Sequence, residues 1–507
     1  MMSDKKNIAL YITFIAAFIV SLIFRNDIFM WDNITTCAAT SSFLFYNGWH
    51  IFSMGNFLDI GHPPTMSLYY AAVWKMFGRN LIVSHFAQMP FLWLLLQQLF
   101  LIGNKLFSSS KKIFFIVASF ILVFADTTFL SQAGQVGFEI PSVAIWLLAA
   151  NLLWKRYLSD YQKTNALFFG FTLCIIFIPL IHLRGLALTI SLFVAEVFFQ
   201  FQHIKRNWKK AIFILIPYLI SATVFCIWLR LHFTHVGYLF SDAKSSWGAE
   251  NMGIADMQRA IYNFLLVTMR WLDNGRILMC FAMFFATLFF IQKFKTDEKN
   301  FAKFIFLIFI TASFCLSLNF VVMTKYVCHR YFLPPIILMP MLVVYFINEI
   351  KIANSFFIKI ILFVILFDAA IAGNFIFYFE RYSIGWDSTL VHFSYQNLRT
   401  EAIHFADENK IPALECGSRF PLDVADSLIY LKQNSTQNPP WQASSMSASN
   451  LTNFNFVLYS NVCTSFTDEQ KQILLQQYQV MKEWKKGKLV VKFFEKKLKT
   501  NNTHTKS

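Results

Sequence analysis

The sequence predicts an α-helical polytopic membrane protein of about 11 spans, with interfacial helices in its first outer loop and a small C-terminal α/β domain. Composition is the first support. Of 507 residues, 56% are hydrophobic and 14% charged, against about 25% charged in a soluble globular chain. The second is a series of apolar runs near the roughly 20 residues that a spanning helix needs. The third is the collection of Lys and Arg in alternate connections between those runs. Together they exclude a soluble enzyme, a disordered scaffold and a disulfide-stapled secreted domain. A net charge of +16 in a soluble chain would point to nucleic acid. Here it reads as membrane topology, and no nucleic-acid partner is expected.

The expected spans fall at about 7–24, 81–104, 112–126, 141–154, 164–182, 186–203, 211–230, 276–292, 302–323, 331–350 and 356–378. The first is too hydrophobic, and too poor in small residues at its end, for a removed signal peptide. Two shorter segments, 34–46 and 63–78, read as helices at the interface. Basic connections carry Lys5 and Lys6; Lys105, Lys111 and Lys112; Lys155, Arg156 and Lys163; Lys205, Arg206, Lys209 and Lys210; Lys293, Lys295, Lys299 and Lys303; and Lys351 and Lys359. The positive-inside rule then puts the N-terminus in the cytoplasm and, with an odd number of spans, the C-terminus outside. The outer connections hold the acids Asp32, Asp59, Asp126, Glu139, Asp242, Glu250 and Asp256, the long loop 231–258 among them.

Composition changes near residue 379, dividing the chain into a transmembrane part, 1–378, and an extracytoplasmic α/β domain, 379–507. In the latter, 389–410 and 421–433 read as helices, 434–450 as a polar loop and 454–459 as a strand. Thr467 reads as the N-cap of a helix to about 484, and Gly487 turns the chain into a strand at 489–494. The eight cysteines show no metal-ligand spacing. Cys174, Cys226, Cys280 and Cys315 lie in spans and read as packing residues. A disulfide between Cys416 and Cys463 and a pair of free thiols are both compatible with the sequence.

Four outer segments could carry chemistry. Trp31-Asp32-Asn33 follows the first span, where Asp32 is a general base, a cation ligand or only a cap of the helix 34–46. Asp59-Ile-Gly-His62-Pro63-Pro64 fixes an acid and a His at the start of an interfacial helix, as a rigid turn or as groups offered to a phosphate. Glu139 stands two residues before Pro141 at the end of a Gly-rich turn, and either caps the fourth span or faces Asp32 across a cavity. Arg184, which follows His182, and Lys325 with Arg330-Tyr331-Phe332-Leu333-Pro334-Pro335 place cations at outer span ends. They are snorkelling anchors or phosphate ligands; a guanidinium can hold phosphate in a bidentate fork. A cavity combining acids, a His and cations suits a polyprenyl-phosphate sugar, whose phosphate needs cations as it leaves while the acceptor hydroxyl needs a base.

In this order the motifs resemble the C-type glycosyltransferase superfamily, in the branch of the protein O-mannosyltransferases and bacterial aminoarabinose transferases. Asp32-Asn33 stands at the first-loop acid pair, Asp59 to Pro64 at the D-x-H-P-P turn, and Phe77-Gly78 at the end of its interfacial helix. Glu139-Ile-Pro141 matches the second-loop acid, and Arg330 to Pro334 the R-Y-x-L-P opening of a late span. Three positions depart: Asn33 replaces the second acid, Asp59 is one residue further from His62, and Thr65 follows the prolines in place of Leu.

The resemblance implies an inner-membrane glycosyltransferase, a hexosyl- or pentosyltransferase, with its C-terminal domain in the periplasm. It would move a sugar from a polyprenyl-phosphate donor to a hydroxyl of a lipid, glycan or protein acceptor by inverting displacement. Asp32 and Glu139 take the catalytic positions. Asp59, His62, Arg184, Lys325, Arg330 and Tyr331 take the phosphate and substrate side. No cofactor is implied with certainty, and a divalent cation is left open. Two rival readings remain: a transporter or flippase of an amphipathic anion, and a polysaccharide polymerase or ligase using a lipid diphosphate.

Overall fold

The computed structural model describes residues 2–49, 61–108, 111–159, 165–206, 208–239, 254–293, 301–323, 328–350, 356–375, 388–431, 441–446, 450–462 and 466–497. The chain divides into two compact units, Met1–Ile376 and Phe377–Ser507.

Each expected span lies on a helix. The first unit begins with α1 (Met2–Ile23), then a π-helical turn Ile34–Ala39 that runs into α2 (Thr40–Asn47), and α3 (Thr65–Phe77). The following helices are α4 (Leu81–Leu106), α5 (Lys112–Ala125), α6 (Thr127–Gly134), α7 (Glu139–Leu158), α8 (Asn165–Ile181), α9 (Gly185–Arg206) and α10 (Trp208–Val236). Then come α11 (Met257–Leu272), α12 (Ile277–Lys293), α13 (Phe301–Val322), a 3-10 turn His329–Phe332, α14 (Leu333–Glu349) and α15 (Phe356–Ala372). Among the described residues, five helices are long and apolar enough to cross a membrane, and the bent pairs α5–α6 and α11–α12 raise this to seven. α1, α7, α8 and α9 are shorter or more charged.

α14 shows why the bundle closes. It is buried without a break from Leu333 to Tyr345, as an all-apolar helix must be. It packs on α5, α12 and α13, while α4 packs on α1 and α7. Leu95, Leu99, Trp146, Leu147, Ile308 and Leu338 are fully enclosed between them. Much of the Phe content serves this core; Phe290 stacks on Phe306 with ring centroids 4.5 Å apart. Outward faces are apolar too: Phe281, Phe284 and Phe285 of α12 and Val364 and Ile365 of α15 are exposed. Such a surface fits lipid, whose tails are as apolar as Leu.

Two elements depart from expectation. The Gly-rich segment before Glu139 contains the helix α6, because Asp126 caps it, accepting from the Thr128 and Phe129 amides at 3.0 Å. Beyond 231–258 the chain forms α11, a helix that hydropathy alone passes over. Its pattern is inside-out: Asn263 and Arg270 are buried, whereas Ile261, Phe264 and Leu265 face outward.

The second unit holds α16 (Val391–Glu408), α17 (Asp426–Ile429) and α18 (Asp468–Gln477). Its strands are β1 (Cys416–Ser418), β2 (Ser444–Ser445), β3 (Phe456–Ser460), β4 (Tyr478–Lys486) and β5 (Leu489–Lys496). The sheet order is β2-β1-β3-β5-β4, with β1 parallel to both neighbours and β5 antiparallel to both of its own. Of the helix expected over 421–433, the described residues form one turn, Asp426–Ile429, and the Val424 carbonyl before it accepts from the buried Arg399 at 3.2 Å; residues 432 and 433 lie outside the described residues. The helix expected to reach about 484 stops at Gln477. Thr467 and Gln470 do form its capping box, but the following residues pair with β5 as a hairpin turned by Gly487 at φ +59°. The helix propensity of that segment yields to strand pairing and to Tyr478, whose hydroxyl donates to the Leu451 and Phe454 carbonyls. Cys416 is buried in β1; Cys463, for which the sequence leaves both a disulfide with Cys416 and a free thiol open, lies outside the described residues.

Between α11 and α12 the chain bends by 99°. Asn274 and Gly275 are both left-handed, at φ +53° and +79°. A Cβ on Gly275 would stand 1.9 Å from the Ala369 carbonyl oxygen of α15. Gly275→Ala is therefore expected to lose about 3 kcal/mol or more. The readout is a collapse in the yield of monodisperse protein and a lowered thermal midpoint in detergent.

Candidate functional site

Four charged side chains from four separate segments meet at one end of the bundle. Asp32 reaches this point because Trp31, buried and left-handed at φ +57°, redirects the chain as it leaves the first helix. A bulky residue in that conformation costs roughly 1–2 kcal/mol, which the packing around it must hold. Asp32 caps no helix. Its backbone carbonyl accepts from Thr35 and Thr36, and its carboxylate takes a short hydrogen bond from Nη2 of Arg330.

Glu139 opens α7 without capping it. Its Oε1 accepts from Arg184 Nη2 at 2.6 Å and lies 3.7 Å from Arg330 Nε. Asp32, Arg330, Glu139 and Arg184 thus form a chain of alternating charge. The Arg330 side chain is almost fully buried, while Asp32 keeps 21% of its side chain open to a ligand. Arg184 also lies 3.9 Å over the Tyr331 ring, a cation–π contact. The His62 ring lies 4.1 Å from that of His182, tilted by 41°, and His182 stacks in turn on Phe138 at 4.3 Å. Nδ1 of His182 accepts the Arg184 backbone N–H at 3.0 Å, so this histidine holds the turn that carries Arg184.

The structure therefore brings together Asp32, Glu139, His62, Arg184, Arg330 and Tyr331. The other two expected site residues, Asp59 and Lys325, lie outside the described residues. His182 earned only passing notice in the sequence, as a neighbour of Arg184. The buried group Arg270, Asp273, Arg276 and His329, which adjoins the site through Arg330, was missed altogether.

Two of the three sequence departures have structural explanations. Asn33 is almost fully buried and donates to Gln135 Oε1 at 3.3 Å. A Cβ on Gly137 would stand 2.6 Å from Asn33 Oδ1, so the amide packs flat against a glycine. Gln88 continues this platform: its Oε1 accepts from the Gly137 amide at 2.8 Å and from Tyr70 at 2.9 Å, and its Nε2 makes a short bond to the Gln135 carbonyl. Asn33 thus joins the segment after α1 to the segment before α7, leaving Asp32 as the acid that faces the arginines. Thr65 ties the first turn of α3 to α8 by donating to the Leu180 carbonyl at 2.7 Å, which Leu could not do.

Among the described residues, no three His, Cys, Asp or Glu side chains gather as a metal-ligand set. The two central carboxylates already have arginine partners. What the cluster offers chemically is one partly exposed acid, one buried acid and two guanidiniums able to exchange a carboxylate for a phosphate.

The architecture is similar to that of solved structures of ArnT from Cupriavidus metallidurans. The form bound to undecaprenyl phosphate matches with a TM-score of 0.53 and 11% sequence identity, over 95% of this chain and 97% of that one. The apo form matches with a TM-score of 0.52 and 10% identity over the same shares. At this identity the likeness is one of fold. No family model matches the chain, and no curated protein matches it in sequence.

The platform predicts that Asn33→Asp does not restore a working acid pair. It places a carboxylate against Gln135 and Gly137 and is expected to cost about 2–3 kcal/mol, read as a lower thermal midpoint at neutral pH. In the loop leading to Asp32, burial pushes the Asp27 carboxyl from 3.8 up to about 7. A raised acid favours the folded state while protonated, so its contribution is full below about pH 4 and is lost as pH rises towards 7. Thermal unfolding of the wild type is expected to fall over that window relative to Asp27→Asn, with the two curves running parallel above it.

Proposed function

We propose that this chain is an integral membrane glycosyltransferase that moves a sugar from a polyprenyl-phosphate donor to an acceptor hydroxyl at the outer face of the membrane. The observation that carries the reading is the alternating cluster Asp32–Arg330–Glu139–Arg184 at the end of an apolar bundle. The fold it shares with ArnT, one of whose structures holds undecaprenyl phosphate, supports a lipid-phosphate ligand. The Lys and Arg distribution supports a cytoplasmic N-terminus and an outer site.

In this mechanism Asp32 takes the proton of the acceptor hydroxyl. The freed oxygen attacks the anomeric carbon from the face opposite the phosphate, forming the new C–O bond as the old one breaks. The bonding pair leaves with the lipid phosphate, whose charge grows from about −1 towards −2. Arg330 and Arg184 meet that growing charge, and stabilising charge that develops in the transition state is usually the largest catalytic contribution. Glu139 keeps Arg184 aimed and orients sugar or acceptor. His62 and Tyr331 line the phosphate side. No step needs a cofactor, and a chelator in the assay reveals whether a divalent cation takes part.

The test is to incubate purified protein with a polyprenyl-phosphate sugar and follow release of the lipid phosphate. Asp32→Asn is expected to lower turnover at least about a hundredfold while the protein still inserts, with a thermal midpoint lowered by the loss of one of the two carboxylates facing Arg330. Full turnover by that variant removes Asp32 as the base. Flux of the lipid through sealed vesicles without sugar release would identify a transporter, and turnover only with a lipid diphosphate would identify a polymerase or ligase.

A further inference from the structure

Behind Arg330 lies a second charged group that the mechanism does not use. Asp273 sits in the tight turn between α11 and α12. Arg276 Nη2 donates to it at 3.2 Å, and Arg270 Nη1 lies 3.6 Å away. Arg276, wholly buried, also reaches Asp126 at 3.2 Å, Thr128 at 3.0 Å and the Arg270 carbonyl at 3.0 Å. The turn is locked from the other side as well: a Cβ on Gly373 would stand 1.9 Å from the Asn274 carbonyl oxygen. Asp273 is therefore a fixed point.

Its third partner is His329. The imidazole Nε2 lies 2.7 Å from the Asp273 carboxylate; since a carboxylate only accepts, that nitrogen donates its N–H. His329 is fully buried and directly precedes Arg330 in the 3-10 turn His329–Phe332. On the far side of Arg330 the turn is clamped by rings, Tyr331 stacked on Phe320 at 5.0 Å and Phe332 against Trp271 at 5.4 Å. A carboxylate needed only to neutralise Arg270 and Arg276 has no use for the imidazole. The histidine adds an anchor, placed one residue before the guanidinium that binds Asp32.

We propose that Asp273, acting through His329, is the positioning carboxylate of the site: the pair holds the His329–Phe332 turn so that Arg330 stays aimed at Asp32, Glu139 and the departing phosphate. This rests on the function proposed above. Arg330 matters most where phosphate charge has grown, so a loosened turn lowers kcat more than it raises KM. A displacement near 1 Å can cost about a hundredfold.

The experiment compares wild type, Arg330→Ala, His329→Leu and His329→Gln, because these leave Asp273 to neutralise its arginines. Turnover of a polyprenyl-phosphate sugar is measured per active site, with sites counted by the stoichiometry of undecaprenyl phosphate binding. His329→Leu is expected to lower kcat about thirtyfold with donor KM changed less than about threefold. His329→Gln, whose amide nitrogen can replace Nε2, is expected to recover to within about fivefold of wild type. A merely structural histidine would lower the number of sites and the thermal midpoint while leaving kcat per site unchanged. That result, alongside a crippled Arg330→Ala, overturns the positioning role and leaves the function intact. If wild type binds undecaprenyl phosphate but turns over no sugar, the function fails alone and affinity becomes the readout. His329→Leu must then weaken binding about tenfold, as Arg330→Ala does, or the positioning role fails too. A wild type that binds no undecaprenyl phosphate overturns both.

Discussion

The constraint that organises the first unit is the cost of an ion away from water. An isolated charge in an apolar bundle costs several kcal/mol, so every buried charge needs an opposite partner with good geometry. Arg330 and Arg276, almost wholly enclosed, each have carboxylate partners: Asp32 and Glu139 for the first, Asp126 and Asp273 for the second. These contacts join the first loop, α6, α7, the α11–α12 turn and the 3-10 turn before α14. Elsewhere Arg156 lies 3.8 Å from Glu196, which also accepts from Tyr218 at 2.8 Å. Apolar packing builds the bundle, but the ion pairs define which ends come together.

The same pairs shape the chemistry. A carboxylate engaged by a guanidinium is a poor base, and a guanidinium engaged by a carboxylate is a poor phosphate ligand. In the proposed reaction both improve when an anion arrives and takes the arginine. The cluster is balanced without a ligand, two acids against two arginines, and a phosphate shifts that balance towards a freed acid. Asp32 is the partner best placed for this, because it keeps the largest opening of the four side chains.

Much of this was legible in the sequence. The spans stand out because lipid asks for length and apolarity, and the expected runs fall on helices. Asp32, Glu139, Arg184 and Arg330 stand out because each is an ionisable group beside an apolar run. What the sequence hides is what depends on partners far along the chain. α11 escapes a hydropathy reading because its polar side is the buried one. Asp273 and Arg276 flank an Asn-Gly turn signal, yet nothing local says that their partners are Asp126 and His329. β4 is hidden for a similar reason, since only β5 makes a strand of residues that would otherwise favour a helix. Asn33 looks like a lost acid until Gly137 and Gln135 come to lie against it.

The Arg276 contacts also bear on which stretches of the chain are tied together. Its ligands are drawn from three stretches of sequence: Asp126 and Thr128 far upstream, Asp273 beside it, and, through Asp273, His329 some way downstream. The upstream acid precedes the arginine by 150 residues, so in the folded bundle the cation's counter-ion comes from a distant, earlier segment. The histidine follows it in sequence. The guanidinium thus ties segments on both sides of it in sequence, and through Asp273 it reaches the 3-10 turn bearing Arg330.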